Sequence, residues 1–410
     1  MLSPLVKDIE LFLNDKPSIY ALRKKAKDAL LKSGFPSSKT EEWKYTNVQQ
    51  IIQTNYQIDT TNQICSHHCC DHLPTQDFIE IHFCNGKIHL EEIKTPPGLN
   101  IIPLPIVLYE NEYKNYIFNS FDLEKHPFAA LNGIYLEQGL CIHAEKDFHS
   151  STPILIKYKF DNCDNQQLNI HNLFILEKNA QLNIIEDFST TNTSNFTNTV
   201  NEIYLKASAH LEHYKKLSES PNGIHIALNG VKVHEKAFYK QFYFSEGTQI
   251  SRQETIVNLE QKEAQAEIYS AYKATRQTLT DITTNINHII EQTYSSQYAK
   301  AVLEDDSSAT FQGKIYIAPN AVKSSGTQLH KALYLGKTAT LNCKPELEIY
   351  ADDVKCSHGA SSGELDKEQI FYLQSRGIDK KEALKILTTA HLEELFSFIS
   401  NPKIKNLFSK

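Results

Sequence analysis

A thiol and an imidazole stand two residues apart near the end of the chain, at Cys356 and His358 in the run Asp352-Asp353-Val354-Lys355-Cys356-Ser357-His358-Gly359-Ala360. If this run is a β-strand, Asp352, Val354, Cys356 and His358 project from one face and the two ligating groups lie side by side. Such a pair suits a soft metal. Iron-sulfur clusters take about four protein ligands, so two from this chain describe half a site, to be completed across a subunit interface. The plainer alternative is a buried cysteine and a hydrogen-bonded histidine that close the last strand.

The segment Cys65-Ser66-His67-His68-Cys69-Cys70-Asp71-His72 is the densest in soft ligands. A structural zinc site wants a second ligand pair a dozen or more residues on, and Cys84 with His82 is only a loose match, so an exposed loop with incidental thiols is the simpler reading. Gly336-Lys337-Thr338 ends like a phosphate-binding loop, but the position of its first glycine holds Lys331. No GxGxxG or HExxH pattern occurs, which removes the usual signals of nicotinamide binding and zinc proteolysis. Asp305-Asp306 and Asp352-Asp353 are acidic pairs, yet neighbours on a strand point to opposite faces, so neither converges on a glycosidic bond.

The elements that must position Cys356 and His358 are β. From about residue 131 the chain breaks into short strand-like runs, such as Pro153 to Tyr158, Leu173 to Leu176, Ile203 to Leu205 and Ile268 to Tyr272, with Thr/Asn-rich alternation over Leu279 to Ile290. Overlaying residue 172 on 201 matches Asn172 with Asn201, Phe174 with Ile203, Leu176 with Leu205, Ala180 with Ala209 and Leu182 with Leu211, a shift of 29 residues. A small-any-apolar corner recurs at Ala266, Ala309 and Ala339, although the step from 266 to 309 fits no multiple of the shift. Strands repeating at this period predict a stacked parallel β-helix; an ordinary sandwich is the alternative. Residues 4 to 33 read as a helical hairpin or kinked helix, with Leu5, Ile9 and Phe12 before Pro17, and Leu22, Ala26, Ala29 and Leu30 running on to Gly34. Residues 50 to 127 read as irregular α/β. After residue 361, Asp366 and Asp379 begin two capped helices, Gly377 stops the first, and Leu384, Leu387, His391, Leu395 and Phe398 line a face of the second. Helices on either side would cover the open ends of a solenoid. The resulting division is 1–130 helical and irregular, 131–357 β-helix, and 358–410 helical.

Composition narrows the function. The 410 residues carry 42 Lys+Arg against 49 Asp+Glu, a net charge of −7, so no basic excess exists to neutralise nucleic-acid phosphates. Charged residues are 22% and hydrophobic ones 40%, values of a globular chain. The 14 glycines are about half the usual frequency of about 7%. Lys7, Asp8 and Glu10 interrupt the first apolar stretch, unlike a secretory signal, and the longest apolar run, Leu99 to Tyr109, is too short to span a bilayer. Eight cysteines without a CxxC pair predict reduced thiols in a cytoplasmic protein.

With those residues read, a resemblance stands out. The run from Asp352 to Ala360, then Leu365-Asp366 and Glu368-Gln369-Ile370-Phe371-Tyr372-Leu373-Gln374-Ser375-Arg376-Gly377-Ile378, resembles the C-terminal signature of the SufB/SufD family of iron-sulfur cluster assembly proteins. Glu42-Trp43-Lys44-Tyr45-Thr46 resembles its N-terminal motif, and Pro127-Phe128-Ala129-Ala130-Leu131-Asn132 the entry to its β-helix. Leu373, where the SufB branch carries a cysteine, and Cys356-Ser357-His358-Gly359 are similar to the SufD branch. Residues 50 to 126 match poorly. The resemblance implies a right-handed parallel β-helix between helical segments. It implies a non-catalytic scaffold that pairs with a SufB-like paralogue and docks a SufC-like ATPase, with His358 and Cys356 at the iron or cluster-assembly site of the interface. Phe371, Tyr372, Arg376, Leu384 and Leu387 would lie on the ATPase-docking helices. No cofactor is expected to stay on the lone chain; iron or a nascent cluster would pass through the complex, and the isolated chain could pair with itself. A polysaccharide-acting β-helix enzyme, or an autonomous metal-binding protein using residues 65 to 72, are the rival classes.

Overall fold

A computed structural model describes residues 3–6, 16–58, 77–89, 95–160, 164–189 and 194–408. The helical turn expected around Ile9 and Phe12 and the Cys65 to His72 segment lie outside these residues. Helix α1 (Pro17–Ser33) starts at Pro17, whose missing N–H suits the first helical position. A 3-10 turn (Glu41–Trp43), α2 (Gln49–Gln53), the hairpin β1 (Ile79–Cys84) and β2 (Lys87–His89), β3 (Leu99–Pro103), α3 (Leu104–Val107) and α4 (Pro127–Ile134) follow. Then come β4 (Leu140–Ala144), β5 (Ile154–Lys159), β6 (Gln167–Leu176), β7 (Gln181–Ser189), β8 (Phe196–Leu205), β9 (His210–Ser218), β10 (Ile224–Val233) and β11 (Phe238–Glu246). The series continues with β12 (Ile250–Leu259), β13 (Gln265–Ala274), β14 (Leu279–His288), β15 (Tyr294–Leu303), β16 (Ser308–Ile317), β17 (Ser325–Tyr334), β18 (Thr340–Ile349) and β19 (Lys355–Glu364). Helices α5 (Lys367–Ser375), α6 (Lys380–Phe396) and α7 (Pro402–Phe408) end the chain.

From β5 on, odd strands stack in one sheet and even strands in the other, all parallel; among the described residues only β1–β2 and β3–β4 pair antiparallel. This is a parallel β-solenoid, and β1 pairing with β5 starts it earlier than residue 131. The 29-residue overlay is the physical register: Asn172, Phe174 and Leu176 lie beside Asn201, Ile203 and Leu205, and Leu182 beside Leu211. Ala180 and Ala209 occupy equivalent corners, each behind a left-handed residue, Asn179 and Ser208. The corner repeats at Lys236-Ala237 and Glu263-Ala264. A non-glycine residue there is strained by about 1–2 kcal/mol, and the N–H of each is tied to the next coil, for example Ser208 to the Glu235 carbonyl.

Ala266, Ala309 and Ala339 are not corners of this series. Ala266 lies inside β13 beside Tyr239, Ala309 is in the opposite sheet beside Thr280, and Ala339 sits just before β18. Each coil contributes a strand to both sheets, so a small-apolar pattern recurs in two interleaved series, and this produced the step from 266 to 309 that fits no multiple.

The interior between the sheets is apolar at its margins, with Ile184, Phe188, Leu205, Val233, Ile286 and Phe311, and polar along its middle. Asn172 Nδ2 donates to Asn201 Oδ1 at 3.0 Å, and Asn201 Nδ2 donates to Asn229 Oδ1 at 2.9 Å and to Glu186 Oε2 at 2.8 Å. Buried imidazoles belong to this interior. Burial drives the pKa of His225 well below its ordinary value and lowers His288 and His330 to about 4. A depressed histidine pKa contributes stability that is full above the unfolded value, about 6.5, and is lost as pH falls through the folded one. Glu219, raised to about 8 by burial, acts oppositely, its contribution fading as pH rises toward 8. Between pH 7 and pH 5 these imidazole protons outweigh the carboxyl proton, so stability should fall on acidification. Urea midpoints at pH 7 and pH 5 test this; an unchanged midpoint contradicts it.

Helices lie on the outer faces. Trp43 is sandwiched between Phe128 and Arg252, whose guanidinium carbon is 4.0 Å above its ring. Arg252 pairs with Asp281, which also accepts from Thr46. On α4, Asn132 Nδ2 donates to the carbonyls of Ile170 and Asn198, both at 3.0 Å. Leu392, Leu395 and Phe396 of α6 and Phe408 of α7 pack on Tyr214, Phe242 and Tyr269 of the odd sheet. The C-terminal helices therefore clasp the side of the solenoid; α5 buries no residue. Among the described residues nothing pairs with the outer edges of β18 and β19, so the expected cover over this end is absent there. Among the described residues no helix is long and apolar enough to cross a membrane.

Candidate functional site

The last strand carries both sequence-selected ligands and runs on to Glu364, past residue 358 where the helical segment was expected. β19 lies beside β17 in the register Gly326 to Cys356, Gln328 to His358 and His330 to Ala360. In β17, Gly326, Gln328, His330 and Ala332 are the buried, inward-facing positions. The alternation of β-strands therefore puts Cys356 and His358 on the same inner face of the final coil, and since no further coil follows, His358 is exposed to solvent.

The two groups differ in environment. Cys356 is half-buried against the Ile315, Ile317 and Ala351 cluster, and burial raises its thiol pKa against a weaker opposing hydrogen bond from Gly326. That thiol is held protonated and packed. His358 is the more accessible of the two groups. Cys343 of β18 is a third thiol of this end, beside Phe311 in register, free and pushed up to about 11 by burial. Sequence reading missed it because no motif surrounds it. Among the described residues no three His, Cys, Asp or Glu side chains come together around a metal-sized position.

The other candidates fare differently. Cys84 is disulfide-bonded, which corrects the expectation of reduced thiols throughout; disulfides follow spatial approach rather than a sequence spacing. Its neighbour His82 contacts Glu80 Oε2 at 3.2 Å and is held below its usual pKa by burial first and Lys157 second. Asp305 accepts hydrogen bonds from the Thr338 N–H and hydroxyl, at 3.2 and 3.0 Å. A carboxylate thus occupies the Gly336-Lys337-Thr338 turn, the reverse of a phosphate cradle.

Of the docking residues, Phe371 and Tyr372 on α5 are 72% and 58% exposed, and Arg376 stacks 5.3 Å from the Tyr372 ring. Leu384 and Leu387 on α6 are half-buried. Asp366 and Asp379 cap the two helices, accepting from the N–H groups of Glu368 and Glu382, and Gly377 turns the chain between them at φ 86°.

A family model described as SUF system FeS cluster assembly, SufBD core domain, matches residues 159–391, and one described as SufBD protein N-terminal region matches residues 8–156. The chain is 28% identical over 389 residues to the iron-sulfur cluster assembly protein SufD of Escherichia coli (strain K12), covering 92% of this chain and 88% of that protein. It is 26% identical over 423 residues to the chloroplastic protein ABCI7 of Arabidopsis thaliana, covering 98% and 88%. To an iron-sulfur cluster assembly SufBD family protein of Staphylococcus epidermidis it is 22% identical over 318 residues, covering 77% and 67%.

Proposed function

Because this chain belongs to the SufB/SufD family of iron-sulfur cluster assembly proteins, we propose that it is a non-catalytic scaffold subunit. In this reading it pairs with a SufB-like paralogue through the open end of its solenoid and docks a SufC-like ATPase through its C-terminal helices. The observation that carries the reading is the uncovered final coil, where unpaired edges of β18 and β19 flank an exposed His358. An edge of this kind is a template for pairing with another chain, and a paralogue added there would supply the ligands that His358 and Cys356 alone cannot. Iron and the nascent cluster are cargo. A neutral imidazole suits a handover ligand because it binds iron without enclosing it in thiolates.

The test is co-expression with the paralogue and ATPase, followed by measurement of iron and acid-labile sulfide in the purified complex. His358→Ala should leave complex formation intact and lower iron about 10-fold; Cys356→Ala should have a smaller effect, since that thiol is protonated and packed. Normal iron in both variants would remove the site, and loss of iron only in Cys356→Ala would reverse the two roles. A complex that does not form, with soluble chain present, would remove the scaffold reading.

A further inference from the structure

In the coil below His358, Gln328 is 3% exposed, and neither its Oε1 nor its Nε2 has a hydrogen-bond partner. Its amide lies across the interior against Gly313 of the facing sheet; a Cβ built on that glycine would fall 1.5 Å from Gln328 Nε2. Gln297, one coil further down the same column, has an unpartnered Nε2 as well, while its Oε1 accepts from Thr284. Buried amides are almost always satisfied, so a pair left open beneath a solvent-facing imidazole needs a physical reason.

We infer that Gln328 is a positioning residue for His358, its amide carbonyl accepting the N–H of the imidazole nitrogen that does not face iron. The inference rests on the reading of His358 as an iron ligand. Register places the two side chains on adjacent strands and one face, about 4.8 Å apart at the backbone. A metal-bound histidine donates its second N–H to a carbonyl, carboxylate or water, which fixes the tautomer and the ring plane. Gln328 places an amide carbonyl, the acceptor for that N–H, on the inward face directly beside His358 in register. Gly313 is the accommodation that lets a long amide, rather than an aliphatic side chain, occupy this level. A neutral imidazole already carries one N–H; a metal on the other nitrogen fixes the tautomer and turns that N–H toward the Gln328 carbonyl.

The experiment uses the complex with the paralogue and Co²⁺ alone as the probe, read by its visible d–d absorption and by the paramagnetically shifted imidazole N–H proton. Gln328→Leu should fold as well as the parent chain, because an apolar side chain replaces two unsatisfied polar atoms. It should weaken Co²⁺ binding about 10- to 100-fold and speed exchange of the shifted N–H proton with solvent. Gln328→Glu, which keeps an acceptor oxygen, should restore both. If Gln328→Leu binds and exchanges like the parent while His358→Ala loses Co²⁺, the positioning role is overturned and the ligand reading stands. If His358→Ala leaves Co²⁺ binding unchanged, the ligand reading itself fails. Should Gln328→Leu misfold, Gln328→Glu decides alone: slow exchange and parental affinity support the role, and loss of either overturns it.

Discussion

Replacing Glu202 by leucine should release the segment around Phe118 from the solenoid and destabilise the protein by about 4 kcal/mol or more. The carboxylate is fully buried on the outer face of the even sheet. It accepts from the backbone N–H groups of Phe118, Asn119 and Ser120, from the hydroxyls of Ser120 and Tyr204, and contacts His171 Nε2 at 3.1 Å. Burial alone would raise its pKa; the His171 hydrogen bond and charge, with the Phe118 N–H and Ser120 hydroxyl, hold it below the ordinary value. Phe118 adopts φ 57°, a conformation strained for an aromatic residue, and its ring packs edge-on to His171. The neighbouring Ser120 fits only because residue 230 is glycine, where a Cβ would fall 2.3 Å from Ser120 Oγ. Leucine would leave these donors unsatisfied at about 1–3 kcal/mol for each buried one, partly relieved by the solvent that reaches Asn119. Glu202→Gln keeps an acceptor oxygen and should lose roughly half as much. Hydrogen exchange at residues 116–121 and the thermal midpoint read the effect, and a leucine variant with parental exchange would contradict it.

The parallel solenoid was legible because its stacking writes identical side chains at fixed separations. Asn172 and Asn201 overlay in sequence and are hydrogen-bonded in space. The left-handed corners were not legible, since Asn179, Ser208, Lys236 and Glu263 share a conformation and no chemistry. The early coils escaped for a related reason: β1 and β3 sit in a stretch too irregular to show a period, and only their pairing with β5 and β4 defines them. The C-terminal helices were visible through Asp366, Gly377 and Asp379, but their seat on the side of the odd sheet depends on Tyr214, Phe242 and Tyr269, outward residues of strands far away in sequence. Cys356 and His358 were found from strand alternation alone. Gln328 was not, although Gln297, Gln328 and His358 follow one another at steps of 31 and 30 residues, because an unsatisfied amide has meaning only once the facing glycine is known.

If a SufC-like ATPase docks on the C-terminal helices as proposed, the double substitution Phe371→Ser with Tyr372→Ser should weaken that binding about 1000-fold while leaving the fold unchanged. Both rings stand in solvent on a helix that buries nothing, and substitution of such residues moves stability by no more than about 0.5 kcal/mol. Exposed aromatic side chains are what an interface buries at its centre, where truncation removes about 2 kcal/mol or more per ring; two such losses correspond to roughly three decades in Kd. Arg376, stacked on Tyr372, holds that ring in place, so Arg376→Ala should weaken binding by a smaller factor. Removing residues 379–410 would be a poorer test, because α6 and α7 cover Tyr214, Phe242 and Tyr269 and their loss would expose an apolar face of the solenoid. Point changes on α5 separate docking from folding. Titration calorimetry of the purified chain against the ATPase, with circular dichroism of each variant alongside, reads both quantities. An unchanged Kd in the double variant would move the docking surface off α5, leaving the half-buried Leu384 and Leu387 on α6 as the next residues to substitute.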